Sequence, residues 1–94
     1  MPDPSIRVVI IDDHPIVRAG MRSVLCANPD ITVVAEGSSG DQAISLTANH
    51  QPDVLVLDVN LPGLSGLEVT RQLHRQPVHP AILILTVQND SQTI

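Results

Sequence analysis

The stretch Ile6-Arg-Val-Val-Ile-Ile-Asp-Asp-His-Pro15 joins a run of β-branched residues directly to two acids and a proline. The run Ile6–Ile11 predicts a β-strand, because β-branched side chains suit a pleated, extended backbone. Pro15 favours the first turn of a helix, where its missing N–H would have no partner in any case. This segment therefore predicts a strand that passes into a helix through an acidic turn.

The same alternation of strand and helix continues along the chain. Two short polar pairs, Ser39 with Gln42 and Ser65 with Glu68, have capping-box spacing, and each pair predicts the start of a helix. Three further runs predict strands: Ile31–Ala35, Asp53–Leu57 and Ala81–Leu85. In the last two of these runs the apolar residues do not alternate with polar ones, which is typical of strands covered on both faces.

Short connections of this kind make the predicted strands parallel. A strand, a crossover helix and a second strand in one sheet form a right-handed unit, and successive units place helices on both faces of the sheet. The order β-α-β-α-β-α-β therefore predicts an α/β fold with a doubly wound parallel sheet. No linker or repeat interrupts the pattern, so we expect residues 1–94 to form a single domain.

Composition restricts the function. The chain has 94 residues, a net charge of −5 and no Phe, Tyr or Trp. Phosphate binding needs a clustered basic surface and single-stranded nucleic acid needs aromatic platforms, so we expect no direct contact with nucleic acid. The single Cys26 cannot form an internal disulfide, and neither a membrane-spanning run nor a signal peptide is recognisable. We therefore predict a cytoplasmic protein that has no membrane partner.

Oxygen-bearing side chains follow three of the predicted strands. Asp12 and Asp13 come after the first strand, Asp58 after the third and Thr86 after the fourth. A lone Asp at such a turn is more often a helix cap than a ligand, but ligands of parallel sheets bind at the carboxyl ends of the strands. Three adjacent carboxylates require a cation, and oxygen ligands suit Mg²⁺. A carboxylate beside Mg²⁺ can also attack phosphorus and form an acyl phosphate.

Four other residues that could suggest a site have ordinary structural explanations. His14 could approach the acidic residues, but a histidine at the start of a helix is more often solvated. Arg18 and Arg22 are expected to form the solvated face of the first helix. Cys26, near the end of that helix, is expected to be a small, partly buried thiol.

Two segments carry a resemblance to a known family: Ile10-Ile-Asp-Asp-His-Pro-Ile-Val-Arg-Ala-Gly20 and Val56-Leu-Asp-Val-Asn-Leu-Pro-Gly-Leu-Ser-Gly66. They resemble the receiver domain of two-component response regulators, in the form typical of the NarL/FixJ branch with a LuxR-like output domain. The resemblance implies a flavodoxin-like fold and a signalling module rather than an enzyme.

The resemblance also implies a role for each site residue. Asp58 would accept a phosphoryl group from a sensor histidine kinase. Mg²⁺ would be bound by Asp12, Asp13, Asp58 and the backbone carbonyl of Asn60. Thr86 would contact the phosphoryl group and move as the switch residue.

The family pattern continues beyond the predicted fourth strand with a fifth strand that bears a lysine and an aromatic switch residue. This chain ends at Ile94 and contains no lysine and no aromatic residue. We therefore expect a C-terminally incomplete receiver domain, without the last strand and helices, in which phosphoryl transfer is slow or poorly coupled to any conformational response. Ala81–Leu85 would then be a bare edge strand, which favours self-association as a dimer or by strand exchange.

Two other classes of function compete with a phosphorylated receiver domain. A dimerisation or interaction fragment that is never phosphorylated is favoured by the missing lysine and opposed by the intact acidic residues. A Mg²⁺-dependent phosphatase with an aspartyl nucleophile would need an acid two residues after Asp58, and Asn60 occupies that place. Regulation of transcription would belong to an output domain outside this chain.

Overall fold

Strands and helices alternate along residues 5–85, which are the residues described by the computed structural model. The order β-α-β-α-β-α-β predicted from the sequence is confirmed. The elements are β1 (Ile6–Ile11), α1 (Pro15–Cys26), β2 (Ile31–Gly37), α2 (Gly40–His50), β3 (Val54–Asp58), α3 (Gly66–His74) and β4 (Ala81–Leu85). Thr86, the expected switch residue, lies outside the described residues.

All strand pairs are parallel, and the strand order is β2-β1-β3-β4. From β1 the chain moves to β2 on one side and then crosses to β3 on the other, so the winding direction reverses between β1 and β3. The carboxyl ends of these two strands therefore form the crevice in which doubly wound sheets bind ligands. The predicted flavodoxin-like α/β fold is confirmed.

The sheet has an apolar core on each face. Helices α2 and α3 cover one face, where Val9, Leu55 and Leu57 are fully buried. Helix α1 covers the other face through Met21 and Leu25, which pack against the buried side chains Val8, Ile10 and Val56. The unbroken apolar sequence of β3 is explained by this arrangement, because the strand is central and is covered on both sides.

The two predicted helix starts are N-caps of the expected kind. Ser39 accepts a hydrogen bond from the backbone N–H of Gln42, and Ser65 accepts one from Glu68, both at 3.2 Å. The reciprocal half of the capping box is replaced in the first case. The Gln42 side chain accepts instead from the Ser38 N–H at 2.6 Å, so it closes the turn before the helix.

Three local details differ from the sequence predictions. Strand β3 is shifted by one residue, since Asp53 precedes it and accepts the Arg7 N–H at 2.9 Å, whereas Asp58 is its last residue. Strand β2 continues past Ala35 to Gly37. Cys26 is exposed rather than partly buried, because the sheet-facing side of α1 is formed by its neighbours one turn apart. Among residues 5–85, no helix is both long and apolar enough to span a membrane.

Candidate functional site

The buried carboxylates of Asp12 and Asp58 lie at the carboxyl ends of adjacent strands. Ile11 of β1 is paired with Leu57 of β3, so the next residue of each chain segment reaches the same edge of the sheet. The side chain of Asp12 is 1% exposed and that of Asp58 is 4% exposed. Asp13, which follows the end of β1, is 35% exposed at the mouth of the crevice. The structure therefore brings together the three carboxylates that the sequence places at this edge.

A histidine completes this acidic cluster. One potential ligand atom from each of Asp12, Asp13, His14 and Asp58 lies within 4.8 Å of the others. The Nδ1 atom of His14 lies 3.0 Å from a carboxylate oxygen of Asp12, 3.0 Å from one of Asp13 and 4.0 Å from one of Asp58. The hydrogen bond to Asp12, followed by the charge of Asp13, raises the pKa of His14.

The position of His14 corrects its assignment as a solvated residue at a helix start. Its side chain is 61% exposed, as expected for that position, yet the imidazole also contacts two of the predicted metal ligands. The backbone explains why the imidazole lies beside these carboxylates. The His14 N–H donates to the Asp12 carboxylate at 2.8 Å, and this bond forms a tight turn directly after β1. The sequence signal was the direct succession of two acids and a histidine, but the direction of the ring depends on this turn.

The loop after Asp58 is held close to the acidic cluster. The Asn60 N–H donates to Asp58 Oδ1 at 3.2 Å, and the Val59 N–H donates to the carbonyl of Leu85 at 3.3 Å. Helix α3 begins close against this loop at Gly66, where an added Cβ would lie 2.7 Å from the Asp58 carbonyl oxygen. Residue 66 must therefore be glycine for the loop and the helix to pack as they do.

Two arginines of α1 pair with one acid of β2, which corrects their assignment to a simply solvated face. Glu36 lies 3.3 Å from Arg18 Nε and 2.6 Å from Arg22 Nη1. Arg18 is 24% exposed and also donates from Nη1 to the backbone carbonyl of Asp12 at 2.7 Å. The spacing of Arg18 and Arg22 indicates a shared helix face, but the partner on β2 is distant in sequence.

The donor set of the acidic cluster fits a hard divalent cation. Asp12 and Asp58 are buried beside each other, and like charges at this separation destabilise the protein unless a cation lies between them. Carboxylate oxygens are the ligands that Mg²⁺ prefers, and the more exposed Asp13 leaves access for the water molecules that Mg²⁺ retains. Among the described residues, His14 is the one cationic side chain that contacts these carboxylates, and it can supply positive charge only when protonated.

Comparisons with known proteins agree with the fold. Residues 8–94 match the family model described as the response regulator receiver domain. The chain is 38% identical over 87 residues to the nitrate/nitrite response regulator protein NarL of Escherichia coli K12, covering 93% of this chain and 40% of that protein. It is 42% identical over 81 residues to the transcriptional regulatory protein LiaR of Bacillus subtilis, covering 86% of this chain and 38% of that protein.

A solved structure has the same architecture. The signal receiver domain of the response regulator NarL from Mycobacterium tuberculosis superposes with a TM-score of 0.88 at 30% identity, covering 96% of this chain and 73% of that one. The chain spans about two fifths of the length of the two curated relatives.

Proposed function

The chain belongs to the response regulator receiver domain family, as a receiver of the NarL type, and from this membership we propose that Asp58 is its phosphoryl acceptor. The position of Asp58 is the main support for this proposal, because its side chain is buried at the end of β3 beside Asp12. Its Oδ1 accepts the Asn60 N–H, which orients the carboxylate toward the crevice.

The reaction transfers a phosphoryl group from an imidazole, or from another donor, to a carboxylate. An oxygen of Asp58 attacks the phosphorus atom, and a new P–O bond forms while the bond from phosphorus to the leaving group breaks. The bonding electron pair leaves with the imidazole of a phosphohistidine, or with acetate when acetyl phosphate is the donor. The product is an acyl phosphate on β3.

Receiver domains of this family bind Mg²⁺ at their acidic cluster. In this chain we assign the ion to Asp12, Asp13, Asp58 and the backbone carbonyl of Asn60. When bound, Mg²⁺ supplies positive charge that neutralises the phosphoryl oxygens. Asp12 and Asp13 would hold the ion from the end of β1, and the Asn60 carbonyl would hold it from the loop after β3. Thr86 follows β4 in the sequence, and we assign it the contact with the phosphoryl group.

Response regulators of this type receive the phosphoryl group from sensor histidine kinases, and we assign such a kinase as the partner of this chain. Regulation of transcription would require an output domain, as in the longer relatives. The chain itself would be a cytoplasmic signalling module that makes no direct contact with nucleic acid.

Phosphorylation is tested by incubating the chain with Mg²⁺ and acetyl phosphate and measuring its intact mass. We expect a phosphoryl increment that is stable to acid, labile to base and absent in Asp58→Asn. Asp30→Asn is the matched control, since Asp30 is exposed in the connection between α1 and β2 and should label like the unsubstituted chain. Labelling that persists in Asp58→Asn would refute the acceptor assignment.

A second observation favours an additional role in self-association. Strand β4 pairs with β3, and within residues 5–85 no strand lies on its other side. Leu83 is 53% exposed and borders a groove of about 330 Å³ whose lining is entirely apolar. An apolar strand that has no neighbour on one side within residues 5–85 is suited to pairing with another chain, and we assign a second copy of this chain as its partner. If Asp58 is never phosphorylated, self-association would be the function of this chain, as a dimerisation or interaction fragment.

Light scattering after size exclusion tests self-association. We expect a concentration-dependent dimer that Leu83→Glu converts to a monomer. Leu67→Glu is the control, because Leu67 is 58% exposed on α3, away from the groove, and should leave the dimer unchanged. A chain that stays monomeric at high concentration would contradict this role without affecting the phosphorylation proposal.

A further inference from the structure

We propose that Arg18 is a positioning residue for the acidic cluster, which it serves by fixing the backbone of Asp12 against β2. The inference rests on the proposed binding of Mg²⁺ by Asp12 and Asp13. It adds a residue that does not touch the metal ion but determines where two of the ligands lie.

Both backbone polar groups of Asp12 have partners, one on β2 and one on α1. The Asp12 N–H donates to the carbonyl of Gly37 at 3.1 Å, and the Asp12 carbonyl accepts from Arg18 Nη1 at 2.7 Å. Since the residue is almost completely buried, its carbonyl would be costly to leave without a partner. Arg18 therefore supplies the bond that satisfies this carbonyl at the end of β1.

Arg18 is itself held in place by Glu36. The Nε atom of Arg18 lies 3.3 Å from Glu36 Oε1, so one guanidinium joins the Asp12 backbone to the end of β2. A planar guanidinium presents several N–H donors in fixed directions, whereas a lysine presents a single nitrogen. Lysine at position 18 would keep the charge but could not reproduce both contacts with the same geometry.

A bulge in β2 places Glu36 where Arg18 can reach it. The partners of consecutive β1 residues pass from Val33 directly to Ala35, so the register between β1 and β2 shifts by one residue at Val34. Val34 and Ala35 consequently both pack toward the α2 and α3 side of the sheet. Glu36 pairs with Ile10, whose side chain packs on the α1 side, and it meets the arginines of that helix.

The Asp12 backbone needs this support because the negative charges around it repel one another. Asp12, Asp13 and Asp58 crowd three carboxylates into one cluster, and their repulsion favours opening the turn that follows β1. A bond from Arg18 to the Asp12 carbonyl resists that movement. The ligands are then already in position before a cation enters, so less binding energy is lost in ordering them.

Arg22 provides a matched control for this inference. It lies on the same helix, carries the same charge and contacts the same Glu36 at 2.6 Å, but it makes no hydrogen bond or ion pair with Asp12. Any effect of charge near β2, or of the link between α1 and β2, should therefore appear in both arginine variants. An effect on Asp12 should appear only when Arg18 is changed.

The experiment compares Arg18→Lys with Arg22→Lys by calorimetric titration with Mg²⁺. We expect Arg18→Lys to weaken Mg²⁺ binding by about tenfold, the scale seen when groups that orient metal ligands are replaced. Arg22→Lys should change the affinity by less than about twofold, as expected for a surface substitution. Amide hydrogen exchange without Mg²⁺ should become faster at Asp12 in Arg18→Lys and stay unchanged in Arg22→Lys.

The outcomes separate this inference from the proposed function. If the unsubstituted chain does not bind Mg²⁺, the proposed function is refuted, and the role of Arg18 is refuted with it. If it binds and Arg18→Lys binds equally well, with unchanged exchange at Asp12, the positioning role is refuted. Should Arg18→Lys not fold, Glu36→Gln keeps the test decisive, because it loosens Arg18 while leaving the guanidinium in the protein. Weaker Mg²⁺ binding in Glu36→Gln supports the role, and unchanged binding overturns it.

Discussion

The Nδ1 atom of His14 lies 3.0 Å from Oδ1 of Asp12, so an exposed imidazole shares a buried carboxylate with the proposed metal site. Protonated His14 and a Mg²⁺ ion at the proposed site would both place positive charge next to the same oxygen atoms. They would therefore be alternative ways to neutralise the acidic cluster and would compete with each other.

This competition predicts the titration of His14. The hydrogen bond to Asp12, together with the charge of Asp13, raises the pKa of His14 in the folded protein. Its stabilising contribution is therefore complete below the ordinary histidine pKa of about 6.5 and is lost as the pH rises through the higher folded pKa. We expect bound Mg²⁺ to lower the pKa of His14, because the two cations repel each other and compete for the carboxylates.

The measurement is an NMR titration of the His14 imidazole with and without Mg²⁺. In Asp12→Asn, a neutral amide oxygen replaces the charged acceptor of that hydrogen bond, so the pKa of His14 should move back toward the ordinary value. Asp41→Asn, on the surface of α2, should leave it unchanged. A His14 titration that is unaffected by both Mg²⁺ and Asp12→Asn would show that the imidazole does not share these carboxylates in solution.

Asp58→Asn is expected to stabilise the protein when Mg²⁺ is absent. The substitution removes one of three adjacent charges, while the amide oxygen can still accept the Asn60 N–H. We expect the free energy of unfolding in urea to rise by about 1 to 2 kcal/mol, which lies between the values for two like charges in bulk water and in a partly screened protein site. Added Mg²⁺ should stabilise the unsubstituted chain more than the variant. A destabilised Asp58→Asn would contradict repulsion within the cluster.

Gly66→Ala is expected to disturb the loop after Asp58. The new Cβ would lie 2.7 Å from the Asp58 carbonyl oxygen and 2.8 Å from Val59 Cα, so the start of α3 must move away from the loop. We expect a loss of about 2 kcal/mol in the free energy of unfolding, as is usual for overpacking, together with slower labelling at Asp58.

Gly20→Ala is the matched control for Gly66→Ala. An added Cβ at Gly20 meets no atom within 4 Å, and the residue lies in the middle of α1. Alanine is the better helix former, so this variant should be more stable by about 1 kcal/mol and should label normally. Equal effects of the two substitutions would indicate that close packing at Gly66 is unimportant.

Ser65→Ala tests the N-cap of α3, the helix that follows the acceptor loop. Loss of the bond from the Glu68 N–H to Ser65 should reduce the free energy of unfolding by about 1 kcal/mol. Ser45→Ala, at an exposed position inside α2, should be neutral or slightly stabilising. Urea denaturation of both variants checks this, and comparable losses would argue against a specific cap.

Most of the fold follows from local patterns. The apolar runs, the capping serines and Pro15 each act within a few residues, and the short crossovers then require parallel strands. Because parallel strands end at one edge of the sheet, Asp12, Asp13 and Asp58 had to approach one another. Their convergence could therefore be predicted without knowing any contact between distant residues.

The surroundings of those acids depend on tertiary structure. The bulge at Val34 determines which face of β2 carries Glu36, and a one-residue change of register reverses that face. The composition of β2 does not reveal such a bulge, so the partner of Arg18 and Arg22 could not be identified from sequence. The turn that directs His14 onto Asp12 likewise depends on a bond made in the folded chain.

The sequence by itself thus determined the order of the elements, the parallel sheet and the edge at which the acids gather, because these depend on short-range pattern and connectivity. Only the tertiary structure decided how the acids are held, through Arg18 on the Asp12 carbonyl and His14 on its carboxylate. Those contacts join groups whose relative position is set by strand register and side-chain direction, and neither is encoded within a short segment of the chain.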